Sequence, residues 1–107
     1  MRKRYDLLEE IGDRLSDGAA LRSPVLDSFN DEALQRLLNK QLDYYEINDL
    51  ETGDFHGKIF KALYVDKEFS SYDSIAGYFN LHAYTLDRYR QRYNRLAEKL
   101  LQRKLDK

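Results

Sequence analysis

The sequence predicts an all-α protein, a helical bundle closed by one long C-terminal helix. Apolar residues recur three and four positions apart through most of the 107 residues, and no strand signal exceeds that periodicity. A tight turn at Asn80 separates two short helical patterns within residues 71–90. From Ala83 the chain runs to about Lys104 without Gly or Pro, roughly 33 Å of helix at 1.5 Å per residue.

Taken in order, residues 3–16 place Tyr5, Leu8, Ile11 and Leu15 on one amphipathic face, and Asp17-Gly18 ends that helix. Pro24 disfavours helix at Ser23 and marks a connector. Ser28 or Asn30 caps the next helix, whose first turn holds Asp31 and Glu32, as the helix dipole prefers. Leu34, Leu37, Leu38, Leu42 and Tyr45 form its stripe, to about residue 46. Residues 47–57 carry two glycines and three acids and predict a loop or linker that Leu50 and Phe55 pin to the core. Ile59, Phe60, Leu63 and Tyr64 open a further helix to about Lys67. The chain thus divides into an acidic helical region (1–46), a linker (47–57) and a C-terminal region (58–107), or forms one compact domain from all three.

Ser70 or Ser71 caps a short helix, and Ile75-Ala76, Phe79, Leu81, Thr85-Leu86 and Tyr89 follow at the spacing of a helix-turn-helix. Asn80 occupies the turn position that needs a left-handed backbone, which Asn tolerates better than other non-glycine residues. In the last helix Leu86, Tyr89, Tyr93, Leu96 and Leu100 alternate steps of three and four. That seam serves either the chain's own N-terminal helices or a second copy, so a homodimer through Leu86, Tyr93, Leu96 and Leu100, or through the N-terminal helices, is one expectation.

Composition narrows the function. The net charge of −1 conceals a split: residues 1–57 hold 7 Lys/Arg against 13 Asp/Glu, and residues 58–107 hold 11 against 6. The basic excess coincides with the helix-turn-helix and would attract phosphate. No segment approaches the roughly 20 apolar residues of a membrane span. The N-terminus shows no secretory signal pattern, so a cytoplasmic protein without membrane contact is expected. The absence of Cys removes disulfides, thiolate catalysis and cysteine-based zinc sites.

With Leu86 and Tyr89 turned inward, the second helix of the motif presents His82, Ala83, Tyr84, Asp87, Arg88 and Gln91. Arg88 can bond a guanine edge with both arms of its guanidinium, and Gln91 can address adenine. Tyr84 suits a thymine methyl or a phosphate, and Ala83 permits close approach. Asp87 either accepts from cytosine or orients Arg88 or Arg90. Ser71 and Tyr72 are placed for backbone contacts, while Arg90, Arg92 and Arg95 add attraction for phosphate.

Signals for catalysis are weak. His56 and His82 stand alone, without a second His at metal-binding spacing, and no cofactor or metal is expected. Gly53-Asp54-Phe55-His56-Gly57 lacks the strand-to-helix context and the Lys of a phosphate loop. Glu9-Glu10 and Asp31-Glu32 resemble solvated helix faces. No enzyme is expected.

Residues 71–90, through Ile75-Ala76, Leu81 and Thr85-Leu86-x-Arg88, resemble the helix-turn-helix of small regulators from Gram-positive phages and mobile elements, the ArpU-type late regulators nearest among them. They are also similar to the sigma-factor domain that reads the −35 promoter element. The resemblance spans about residues 58–95 and implies a sequence-specific transcriptional regulator of double-stranded DNA, with Tyr84, Asp87 and Arg88 reading bases. An RNA polymerase contact through the acidic helices would accompany it. Two rival expectations share the same fold: a protein-interaction adaptor, and a DNA-packaging or recombination accessory factor.

Overall fold

Helix ends in this chain are set by side chains that satisfy the first free N–H groups and by residues that tolerate a left-handed backbone. The computed structural model describes residues 6–66 and 68–105, and among these the regular structure is all-helical. The order is α1 (Leu7–Asp17), a 3-10 turn (Pro24–Ser28), α2 (Asp31–Thr52), α3 (His56–Lys61) continuing into a π turn (Ala62–Asp66), α4 (Tyr72–Tyr78) and α5 (Ala83–Leu105). Tyr5 and Lys67, expected as helical positions, lie outside the described residues.

Asp6 caps α1 by accepting from the Glu9 N–H at 3.0 Å, and Gly18 ends the helix at φ 68°. Asn30, rather than Ser28, caps α2 by accepting from the Ala33 N–H at 2.8 Å. The connector between them is held by Glu10, whose carboxylate accepts from the backbone N–H of Arg22 and Ser23 and from the Ser23 hydroxyl. Glu9 accepts from the Tyr72 hydroxyl. The pair Glu9-Glu10 is therefore structural, not the solvated face that was expected.

The second correction concerns residues 47–57. Helix α2 continues through 47–52 and stops only at Gly53, whose φ of 76° suits glycine. The polar residues that suggested a loop find helical or cross-helix partners instead. Asn48 donates to the Tyr44 carbonyl, and Asp49 reaches across to accept from the N–H groups of His56 (3.1 Å) and Gly57 (2.7 Å). Asp49 thereby caps α3, which has no side-chain cap of its own. Leu50 does not pin a loop: it is 88% exposed, and Phe55 is exposed as well. At Gly57, α2 and α3 nearly touch, and a Cβ there would sit 2.8 Å from Glu46 Cγ.

One core draws on every helix. Leu8 and Ile11 of α1, Leu34, Leu37 and Leu38 of α2, Ile59 and Phe60 of α3, Ile75 of α4, and Leu86, Tyr93, Ala97 and Leu101 of α5 are buried together. Tyr93 lies at its aromatic centre, 4.9 Å from the Tyr45 ring and 5.3 Å from Phe60 between centroids. Its hydroxyl donates to the His56 carbonyl, and its own carbonyl accepts from the buried Gln41 amide at 2.7 Å. The α5 seam is therefore shifted from the expected one. Leu86 and Tyr93 are consumed within the chain and unavailable to a second copy, Ala97 and Leu101 complete the stripe, and Leu96 and Leu100 are half-buried. No helix among the described residues is long and apolar enough to cross a membrane.

Asp6 also joins α1 to α5. Its Oδ2 accepts from Arg90 Nε (3.1 Å) and from the Tyr64 hydroxyl (3.0 Å), and its Oδ1 accepts from Asn94 Nδ2 (2.9 Å). Asn94 Oδ1 in turn accepts from the Leu8 N–H at 2.8 Å, satisfying a second free donor of α1. The Arg90 guanidinium lies 3.9 Å from the Tyr72 ring centroid, so its face is covered as well.

Two outcomes follow from this packing. Asp6→Ala takes from Arg90 its closest carboxylate, leaving Asp87 at 3.4 Å, strands the Tyr64 and Asn94 donors and removes the α1 cap, and it should lower stability by about 3–5 kcal/mol in urea denaturation. A loss below about 1 kcal/mol would mean the network contributes only its cap. Burial also raises the pKa of Tyr45, Tyr64, Tyr72 and Tyr93 above the ordinary 10.0, with Asp6 reinforcing the effect on Tyr64 and Glu9 that on Tyr72. The unfolded chain releases these protons near pH 10 while the folded chain holds them. Their contribution is intact below pH 10 and is lost as the pH rises toward the folded values. Ultraviolet titration should show these tyrosines ionising late and together with loss of helical signal. A single transition near pH 10 with the helices intact contradicts the packing.

Candidate nucleic-acid interface

Ser71, not Ser70, caps helix α4: its Oγ accepts from the Ser74 N–H at 3.2 Å. The helix ends with two bonds typical of a left-handed C-cap. The Asn80 N–H donates to the Gly77 carbonyl at 3.1 Å and the Leu81 N–H to the Ala76 carbonyl at 2.8 Å. Asn80 takes φ 57°, the sole non-glycine residue with positive φ among those described. Ala76, whose carbonyl closes the turn, is itself buried in the core. The first intrahelical bond of α5 then runs from the Leu86 N–H to the His82 carbonyl.

The start of α5 is open. His82, Ala83, Tyr84 and Arg88 are exposed, Tyr84 at 70%. The Arg88 guanidinium lies 5.5 Å from the Tyr84 ring centroid, one helical turn away, so the ring steadies the charge without hiding it. Arg92 and Arg95 continue the exposed basic line, with Arg92 6.0 Å from the Tyr89 ring centroid. Ser71 is exposed at the start of α4.

Four other residues expected at the interface are placed differently. Arg90 points into the molecule, its side chain only 12% exposed against Asp6. Tyr72 is half-buried between Arg90 and Glu9. Burial works against the Arg90 charge, but Tyr72 and Asp6 more than offset it and raise its pKa. Asp87 orients Arg90 (3.4 Å) and holds the Gln91 amide (3.1 Å), and both Asp87 and Gln91 are half-buried. Of the two arginines that Asp87 was expected to orient, it bonds Arg90. Residue 90 falls one turn from buried Leu86 and about 200° from exposed Arg88, so the helical period puts it inside; the expectation of a phosphate contact followed its charge instead.

One exposed side chain beside the turn had no place in the sequence expectations. Tyr78, at the end of α4, is 71% exposed, with Phe69 and Phe79 edge-on at 5.3 and 5.0 Å. Its position three residues after buried Ile75 gave no signal of exposure. Among the described residues, no group of three or more His, Cys, Asp or Glu side chains could hold a metal ion. No family model matches the chain, and neither the curated proteins nor the solved structures yield a match.

The turn makes its own prediction. Asn80→Gly should preserve or slightly raise the melting temperature, whereas Asn80→Val should lower stability by at least about 1 kcal/mol, because a β-branched residue resists positive φ. Equal stability of the two variants would rule out a left-handed residue 80.

Proposed function

We propose that this chain is a non-catalytic regulator of transcription that binds duplex DNA through the first turns of α5, using α4, the Asn80 turn and α5 as a helix-turn-helix. One observation carries the reading: Tyr84 and Arg88 stand exposed at the open end of α5, while Arg90, two residues on, anchors that helix from within. A major groove admits one helix with its neighbour lying across the backbone, and the small Ala83 beside Tyr84 permits such an approach. In this reading Arg88 addresses a base edge, Tyr84 a thymine methyl or phosphate, and Ser71, Arg92 and Arg95 the backbone. Arg90 and Tyr72 act only by holding α5 in place.

The test is selection of bound sequences from a random duplex pool, followed by titration of the selected site. Arg88→Ala should cost about 1–3 kcal/mol and relax preference at one base pair. Arg92→Ala should weaken all duplexes alike and reduce the salt slope by about 1. Equal losses for Arg88→Ala on selected and random duplexes would limit Arg88 to phosphate contact, and no binding to any duplex at low salt would refute the proposal.

A further inference from the structure

We propose that the C-terminal half of α2 and the turn after it form a docking surface for a basic amphipathic helix of another protein. Tyr44, Ile47, Leu50 and Phe55 are 56%, 61%, 88% and 56% exposed, half of the large exposed apolar side chains among the described residues and all within residues 44–55. Tyr44, Ile47 and Leu50 follow one another at intervals of three on the same helix, so they line one side of it. Apolar groups concentrated in this way on a soluble chain mark an interaction surface.

Charge selects the occupant. Residues 41–57 contain Asp43, Glu46, Asp49, Glu51 and Asp54 and no Lys or Arg. Asp49 is turned into the start of α3, and the other four are exposed. Lys58 lies 5.4 Å from the Phe55 ring centroid and Arg92 shares a groove with Tyr44 and Asp54, so cations border the surface at Phe55 and Tyr44, while Ile47 and Leu50 between them stay exposed. Such a surface repels nucleic acid and anionic lipid alike. Self-pairing of the same patch would set carboxylate against carboxylate. The basic face of a second copy, on α5, offers charge without a full apolar stripe, because Leu86, Tyr93, Ala97 and Leu101 are already buried in its own core. The complementary partner is a helix with Lys or Arg flanking apolar residues at intervals of three and four, which covers Ile47 and Leu50 and meets the four acids. This surface lies on α2 and does not depend on the reading of α5.

The test titrates the full chain calorimetrically with a synthetic amphipathic helix of leucine and lysine, and with the same peptide carrying glutamate for lysine. The lysine peptide should bind saturably at one site and the glutamate peptide should not. Ile47→Ser/Leu50→Ser, which keeps the charge, should weaken binding at least about tenfold. Glu46→Gln/Glu51→Gln should weaken it independently. If the serine pair lowers the melting temperature, Leu50→Ser alone carries the comparison at the most exposed position. Undiminished binding by the serine variant, or no saturable binding, overturns the proposal. So does a dimer in sedimentation velocity that the serine variant abolishes, since it would assign the surface to a second copy.

Discussion

The structure depends on the carboxylate of Asp6. It accepts from the Glu9 backbone, the Tyr64 hydroxyl, Arg90 Nε and Asn94 Nδ2, so one buried side chain receives donors from α1, the π turn and α5. A buried charge without partners is strongly unfavourable, whereas one met by a guanidinium and three further donors is tolerated. The same argument applies to Arg90, which meets Asp6, Asp87 and the Tyr72 ring. Four donors arriving from different directions also define the geometry. Sliding or rotating α5 by one residue would take the Arg90 and Asn94 donors from the carboxylate and the closest carboxylate from the guanidinium.

This constraint explains how one helix carries two kinds of arginine. Arg90, Tyr93, Asn94, Ala97 and Leu101 face α1 and α2, and hold the helix by hydrogen bonds at its middle and by packing beyond. Arg88, Arg92 and Arg95 face away, with Tyr84 and Tyr89 rings beside the first two. The orientation of the outward arginines is thus determined by what the inward one requires. At the other end of the motif, Ser71 and Asn80 set the limits of α4, and its buried Ile75 and Ala76 seat it on the same core. A surface intended for recognition gains from such support because its side chains start from a defined backbone.

Charge is divided by role as well as by sequence. Several acids of the first half are internal ligands: Asp6 for α5, Glu10 for the connector and Asp49 for the start of α3. Four others, Asp43, Glu46, Glu51 and Asp54, are exposed on the C-terminal half of α2 and in the turn after it, near exposed Ile47 and Leu50 in sequence. Of the cations of the second half, Arg88, Arg92, Arg95, Lys99, Arg103 and Lys104 are exposed along α5. The bundle therefore carries two surfaces of opposite charge, one with apolar side chains between its acids.

Local signals were legible from the residues alone. The leucine stripe of α2, the end of α1 at Gly18, the left-handed turn at Asn80 and the unbroken run of α5 all depend on neighbours within five residues and stand where expected, and the caps at Asn30 and Ser71 are each one of the two residues the sequence offered. Exposure of Tyr84 and Arg88 was also legible, because it follows from the helical period once Leu86 is placed inside. Tertiary structure alone decided the rest. Asp6 and Arg90 are 84 positions apart, and nothing in either neighbourhood says that they meet. Asp49 looked like a loop residue because the helix end it serves lies across a turn, and Leu50 looked like an anchor because apolarity does not reveal which side of a helix is covered. Caps and periodicity are properties of a few consecutive residues, whereas the pairing of buried charges and the choice of covered face belong to the assembled core.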